Sequence, residues 1–276
     1  MAKVATPATT EKSNFAAVFS SSVVPLAIVV GFLIYYFVMG NPSNFEGNDP
    51  NNHPVSEGAG KFLGLIYKGG IIVPILLSLV IMSITFSIER FLTITKAQGK
   101  GSAQTFVRNI RNFLTSGNVD AAIAECDKQK GSLANVVSQS LHKYKEMEAT
   151  TGIDKEQKII AIQKEIEEST TLELPMLEKN LVIIATMASV STLIALLGTV
   201  IGMIKAFSAL ATAGSPDSVA LANGISEALI NTALGIGNSA IAIIMYNVFT
   251  SKIDAITYAI DEAGFSIVQT FASRNK

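Results

Sequence analysis

Charge is what this 276-residue chain has least of. Lys, Arg, Asp and Glu make up 16% of it and the net charge is −1, whereas an ordinary soluble domain carries about 25% charged residues. Near-neutrality excludes a nucleic-acid binder that works through bulk positive charge. Cys126 is the one cysteine, so no internal disulfide framework or thiolate metal site can be built. His53 and His142 are the two histidines, and the topology derived below puts them on opposite sides of a membrane. No metal or cofactor is expected. There is also no Walker-type glycine-lysine loop, no G-x-G-x-x-G after a strand, and no nucleophile paired with a base. The chain therefore does not read as an enzyme, nor as an ATP-driven pump on its own.

What it has instead is long uncharged runs. No charged residue occurs in Ser13–Phe45, Gly69–Ile88, Leu181–Ile204 or Ala228–Ser251. A helix of about 20 apolar residues crosses the hydrocarbon layer of a bilayer. The runs predict four transmembrane helices, at 22–40, 69–89, 181–205 and 227–251. Packing them inside a soluble protein would require four long helices with no charged solvent face, against the usual amphipathic pattern.

The cations set the orientation. Of 21 Lys and Arg, 13 lie between Arg90 and Lys179, and Arg90, Lys96 and Lys100 follow the second span closely, where the positive-inside rule has most weight. Residues 1–21, 90–180 and 252–276 are expected in the cytoplasm, and 41–68 and 206–226 in the periplasm. The first span reads as a retained anchor, since Gly40-Asn41-Pro42-Ser43-Asn44 offers no small-x-small cleavage pattern. Residues 41–60, rich in Asn, Pro, Gly and Glu, read as a flexible loop. Pro25, near the start of the first span, and Pro74 read as helix starts or kinks.

Within 90–180 the apolar spacing predicts a helical bundle. One helix carries Phe106, Val107, Ile110, Phe113 and Leu114 and stops at Ser116-Gly117-Asn118. Helices over Val119–Lys130 and Leu133–Glu148 follow, with Gly131 between them. A charged helix from Asp154 feeds into the third span through Leu172, Leu174, Pro175, Met176 and Leu177. Ile253, Ile256, Ile260 and Phe265 predict that the last span continues as a cytoplasmic helix. The fold class is all-α: a polytopic helical membrane protein with long helical cytoplasmic extensions.

Two faces carry the candidate chemistry. On the third span Ala188, Thr192, Ala195, Thr199, Gly202 and Ala206 form a small-residue stripe, and Gly198 with Gly202 makes a G-x-x-x-G. Helix packing is the ordinary meaning of such a stripe. On the fourth span Glu227, Asn238, Asn231, Gly235, Ser239 and Thr232 fall within an arc of about 140°. Polar groups inside a membrane mark functional sites by default, so Thr199, Thr232, Glu227, Asn231, Asn238, Thr192 and Ser239 are expected to line a pore or proton pathway. The alternative is interhelical hydrogen bonding alone, which averages about 0.6 kcal/mol per bond.

Thr199 precedes Lys205 by six residues and Thr232 follows Glu227 by five, so in antiparallel helices both hydroxyls lie about 7 to 9 Å inside the outer ends. Lys205 and Glu227 meet at the outer mouth, as an ion pair or as separate interfacial charges. No carboxylate or histidine lies deeper on the polar face. If protons move here, a partner chain must bring the titrating group.

Gly198-Thr199-Val200-Ile201-Gly202-Met203-Ile204-Lys205-Ala206-Phe207, then Gly224-Ile225-Ser226-Glu227-Ala228-Leu229-Ile230-Asn231-Thr232-Ala233-Leu234-Gly235 and Tyr246-Asn247, resemble the ExbB/TolQ/MotA proton-channel family, ExbB most of all. With the preceding helical loop the resemblance spans Gly69 to Phe271. It implies an inner-membrane homo-oligomeric ring, a pentamer, around a single-span ExbD-like partner that carries a membrane aspartate. Proton flow then drives motion, which a TonB-like protein carries to outer-membrane transporters. Thr199 and Thr232 match the pore threonines, and Glu227 matches the acid opening the last span. A TolQ-like role, a flagellar or gliding stator, and a non-conducting membrane scaffold are the alternatives. Three features depart from the family: the added first span, Ile241 where a proline is common, and Lys205 where many members are neutral.

Overall fold

The computed structural model describes residues 10–211 and 217–274, with side chains from Ser22 onward. Residues 1–9 of the N-terminal segment, 212–216 of the connection expected at 206–226, and 275–276 at the C-terminus lie outside the described residues. Among the described residues the fold is helical: α1 Thr10–Leu33, α2 Ala59–Tyr67, α3 Ile72–Gln98, α4 Ala103–Thr115, α5 Val119–Gln129, α6 Gly131–Ala149, α7 Lys155–Glu178, α8 Leu181–Ala211 and α9 Ser218–Arg274. No strand occurs among them, only an isolated antiparallel bridge between Phe45 and Pro54. Among the described residues, four helices are long and apolar enough to cross a membrane. The chain divides into two compact units, one of residues up to Ser87 with Ile183–Met245, the other of Ile88–Val182 with Tyr246–Lys276.

In the first unit, α1 continues through a wider π-helical turn, Ile34–Met39. Pro25 lies near the start of the first apolar span, Ser22–Met39, but inside α1, which begins at Thr10. At Gly31 α1 meets α3 so closely that a Cβ would lie 2.3 Å from the Ser78 hydroxyl oxygen. Tyr35 stacks on Tyr67 with ring centroids 4.7 Å apart and donates its hydroxyl to the Tyr67 carbonyl at 3.1 Å. The added N-terminal helix is thus packed against its own chain.

Residues 41–60 are built rather than loose, which corrects the expectation of a flexible loop. Asn44 is buried, and its amide donates to the Val38 and Met39 carbonyls at 2.8 and 3.0 Å. These are carbonyls at a helix end that lack intrahelical partners, so one buried asparagine both ends the π turn and anchors the loop. Lys68 ties down the far side, donating to the Pro50 and Asn51 carbonyls at 2.9 and 3.0 Å.

Small residues let α8 and α9 approach backbone to backbone. A Cβ at Gly202 would lie 2.8 Å from the Ala228 nitrogen, one at Gly224 2.7 Å from the Ala206 nitrogen, and one at Gly235 2.2 Å from the Ala195 Cβ. The larger side chains point outward instead: Leu193 is 63% exposed and Leu229 65%. Exposed apolar surface on this scale needs lipid or another protein surface to cover it.

The second unit packs α4 to α7 with the C-terminal part of α9. Phe106, Val107, Ile110 and Leu114 of α4 are buried, and Tyr144 of α6 meets Phe271 of α9 edge to face. The break between α5 and α6 falls at Lys130 (φ 57°). Gly131 begins α6 instead of separating the helices. Its Cβ position would lie 2.4 Å from the Ala97 carbonyl oxygen, so a larger residue would not fit there. The charged helix does not run smoothly onward either. It ends at Glu178, and Asn180 adopts a left-handed conformation (φ 66°) before α8. Arg90, 2% exposed, donates to the Met176 and Leu177 carbonyls at 3.3 and 3.2 Å and pairs with Glu89. A cation on the last carbonyls of a helix satisfies orphan acceptors and the helix dipole together.

Candidate functional site

All the singled-out residues lie in the first unit, on α8 and α9. Thr199 and Thr232 meet: their hydroxyl oxygens are 2.5 Å apart. The Thr199 hydroxyl also lies 3.1 Å from the Ala195 carbonyl, and the Thr232 hydroxyl 3.0 Å from that of Ala228. Two hydroxyls have two protons for three acceptor positions. One threonine therefore donates to its helix carbonyl while the other donates across the pair. The two orderings are equivalent in kind, so the hydrogen-bond direction can reverse without moving a heavy atom. Thr199 borders an open groove of about 570 Å3 running along α8 past Met203 and Phe207.

At the outer end, the Lys205 ammonium donates to both carboxylate oxygens of Glu227, at 2.6 and 2.9 Å. The Glu227 side chain is 10% exposed and that of Lys205 52%. The ion pair is thus the geometry adopted, not two separate interfacial charges. Glu227 is closed off on another side by Gly70, whose added Cβ would lie 2.4 Å from Oε1. Gly70 has φ of 76°, a backbone region that glycine adopts without steric cost.

The rest of the polar face turns toward protein. Asn231 is fully buried and its amide donates to the Gly69 carbonyl at 2.9 Å. Asn238 donates to the Ser191 hydroxyl at 2.7 Å, and Ser239 donates to the Ala188 carbonyl at 2.7 Å. Thr192 lies at the edge of hydrogen-bond range of its own helix, 3.5 Å from the Ala188 carbonyl. Asn231, Asn238 and Ser239 therefore fasten helices, whereas Thr199 and Thr232 are half-buried. Gly198 allows this, since a Cβ there would lie 2.7 Å from that of Asn231. The carbonyl oxygens of Asn231 and Asn238 are buried without a hydrogen-bond partner.

The sequence reading missed Ser191 and the Gly69-Gly70 turn as parts of this arrangement. The adjacent glycines that open the second uncharged run were the available signal. Among the described residues no group of three or more His, Cys, Asp or Glu is arranged to hold a metal ion. Cys126 is buried in the other unit, its thiol 3.3 Å from the Ala122 carbonyl.

Similarity to known proteins follows the same residues. The MotA/TolQ/ExbB proton channel family matches over residues 129–262. The Tol-Pal system protein TolQ of Haemophilus influenzae is 42% identical over 84 residues, 30% of this chain and 37% of that protein. TolQ of Pseudomonas aeruginosa is 34% identical over 101 residues, 37% of this chain and 44% of its own length. The biopolymer transport protein ExbB of Pseudomonas putida is 31% identical over 86 residues, 31% of this chain and 26% of that protein. The matched stretches thus span less than half of each of these relatives. Residues 129–262, which contain the threonine pair, the ion pair and the α8–α9 contact, are thus similar to the MotA/TolQ/ExbB proton channel family.

Proposed function

We propose that this chain is the channel subunit of an inner-membrane motor driven by the proton motive force. The observation that carries the reading is the Thr199–Thr232 hydroxyl pair at 2.5 Å, within two helix segments that contain no titratable carboxylate or histidine between Leu181 and Ile204 or between Ala228 and Ser251. Such a pair can relay hydrogen-bond direction, but it cannot store a proton near neutral pH. The missing acid comes from a single-span ExbD-like partner, whose membrane aspartate passes the pair.

In this reading copies of the chain form a ring, a pentamer by resemblance, around the partner. The spans are 22–40, 69–89, 181–205 and 227–251. Both termini and residues 90–180 are cytoplasmic. Each charge crossing 100 mV releases about 2.3 kcal/mol, several times thermal energy. A TonB-like protein carries the resulting motion to transporters in the outer membrane. Asn238 and Ser239 hold the two pore helices together, Asn231 ties the last one to Gly69, Thr192 lies on the same pore helix as Thr199, and the Lys205–Glu227 pair forms the outer mouth. A second reading, energising a Tol-Pal system, is favoured by the relatives that bear the TolQ name. The partner that copurifies with the chain discriminates between the two.

The test is proton flux in liposomes containing the chain and its copurified partner. Thr199→Val and Thr232→Val are expected to keep the oligomer mass seen by native mass spectrometry while losing most partner-dependent flux. Full flux in both variants would overturn the pore assignment. No flux from the unmodified complex at any potential would favour a scaffold.

A further inference from the structure

A cavity of about 470 Å3, half polar and half apolar in its lining, adjoins the Lys205–Glu227 pair. We infer that it binds a phosphate group, carried by an anionic lipid headgroup or present as free phosphate.

Its lining includes two lysines, Lys68 and Lys205, and one acid, Glu227. Glu227 already occupies two N–H groups of Lys205. Lys68 likewise uses two on the Pro50 and Asn51 carbonyls. An ammonium has three donors, so each lysine retains one. His53, Asn223 and Ser226 line the same space and add further donors. With Glu227 neutralised by Lys205, the lining keeps the positive charge of Lys68. Asp49, the acid whose charge acts on Lys68, binds the Asn51 amides and is not part of the lining. Burial lowers the Lys68 pKa from its ordinary value, and an anion in the cavity offsets that cost.

The N-terminus of α9 is not the anion site. Asp217 already accepts from the Val219 and Ala220 amides at 3.0 and 2.9 Å. Pro54, Leu65 and Ala220 make an apolar wall, which suits a phosphodiester with hydrocarbon attached. The site lies at the outer ends of the spans proposed at 181–205 and 227–251, the depth of lipid phosphates in that topology. The inference rests on that topology and not on ion conduction.

The experiment is native mass spectrometry of the purified full chain, titrated separately with short-chain phosphatidylglycerol, phosphatidylcholine and inorganic phosphate. Expected is one saturable phosphatidylglycerol per chain, bound more tightly than phosphatidylcholine. Asn223→Asp, an exposed position that adds a negative charge, is expected to weaken it about tenfold. Lys68→Gln weakens it similarly. Saturable inorganic phosphate without saturable lipid supports the site and assigns a soluble ligand. Absence of saturation with both, or saturation unchanged by both substitutions, overturns it. Because binding is read without flux, its failure is distinguishable from failure of the channel reading.

Discussion

Gly235→Ala is the sharpest perturbation of the α8–α9 contact. The added methyl would lie 2.2 Å from the Ala195 Cβ and 2.7 Å from the Ser191 carbonyl oxygen. Ordinary carbon contact begins near 3.4 Å, so the helices must part by about 1.2 Å at this level. Neither obstacle is a flexible side-chain end, since one is a Cβ and the other is backbone. The Asn238–Ser191 bond, one turn along α9, is 2.7 Å long and does not survive such an opening. Neither does the Thr199–Thr232 contact, at 2.5 Å. Overpacking of this kind costs about 1–3 kcal/mol, with up to about 1.7 kcal/mol more for each lost interhelical hydrogen bond. Thermal unfolding in detergent and proton flux with the partner are the assays. Gly235→Ala is expected to lower Tm and flux together, and adding Ala195→Gly is expected to restore part of both by removing the closer obstacle. Wild-type Tm and flux in the single variant would refute the close approach of the two helices.

Three further predictions concern single contacts. Lys205→Met leaves the nearly buried Glu227 carboxylate without its cation and is expected to destabilise the fold by about 1–3 kcal/mol, below the usual cost of breaking a buried pair because Lys205 is half exposed; Lys205→Met with Glu227→Gln should recover most of the loss in the same unfolding assay. Gly70→Ala forces an unfavourable φ and a methyl against Glu227, so it should lower Tm by more than an alanine at Gly237, where nothing lies within 4 Å. Burial, then the neighbouring Asp127, pushes the Cys126 thiol up to about 12 from an ordinary 9.0. Cys126 should therefore label slowly with a maleimide in the native protein at pH 8 and quickly once unfolded. The folded chain holds the extra proton, so this contribution to stability is full below pH 9 and is lost between pH 9 and about 12.

Periodicity within one helix was legible in the residues. The uncharged runs located α1, α3, α8 and α9, and the amphipathic spacing located α4 to within a residue or two. The common depth of Thr199 and Thr232 followed from counting inward from Lys205 and Glu227. What could not be counted was which neighbour occupies each face. A helical wheel assigns Asn231 and Thr232 to one polar arc, yet the first is sealed against Gly69, 162 residues away in the chain, and the second meets Thr199. The break after α5 was legible to within a residue through Gly131, whereas the one at Asn180 was not, because no glycine or proline occupies that position.

The sequence by itself determined the helices and the small-residue stripe. It also showed that no deep acid lies on the last two spans, since hydropathy, side-chain volume and charge are properties of single residues. The tertiary structure alone decided the bidentate Lys205–Glu227 pair, the division of the polar face into fasteners and a hydroxyl pair, and the anchored turn structure of residues 41–60. Each of these depends on distances between residues far apart in the chain, which only packing determines.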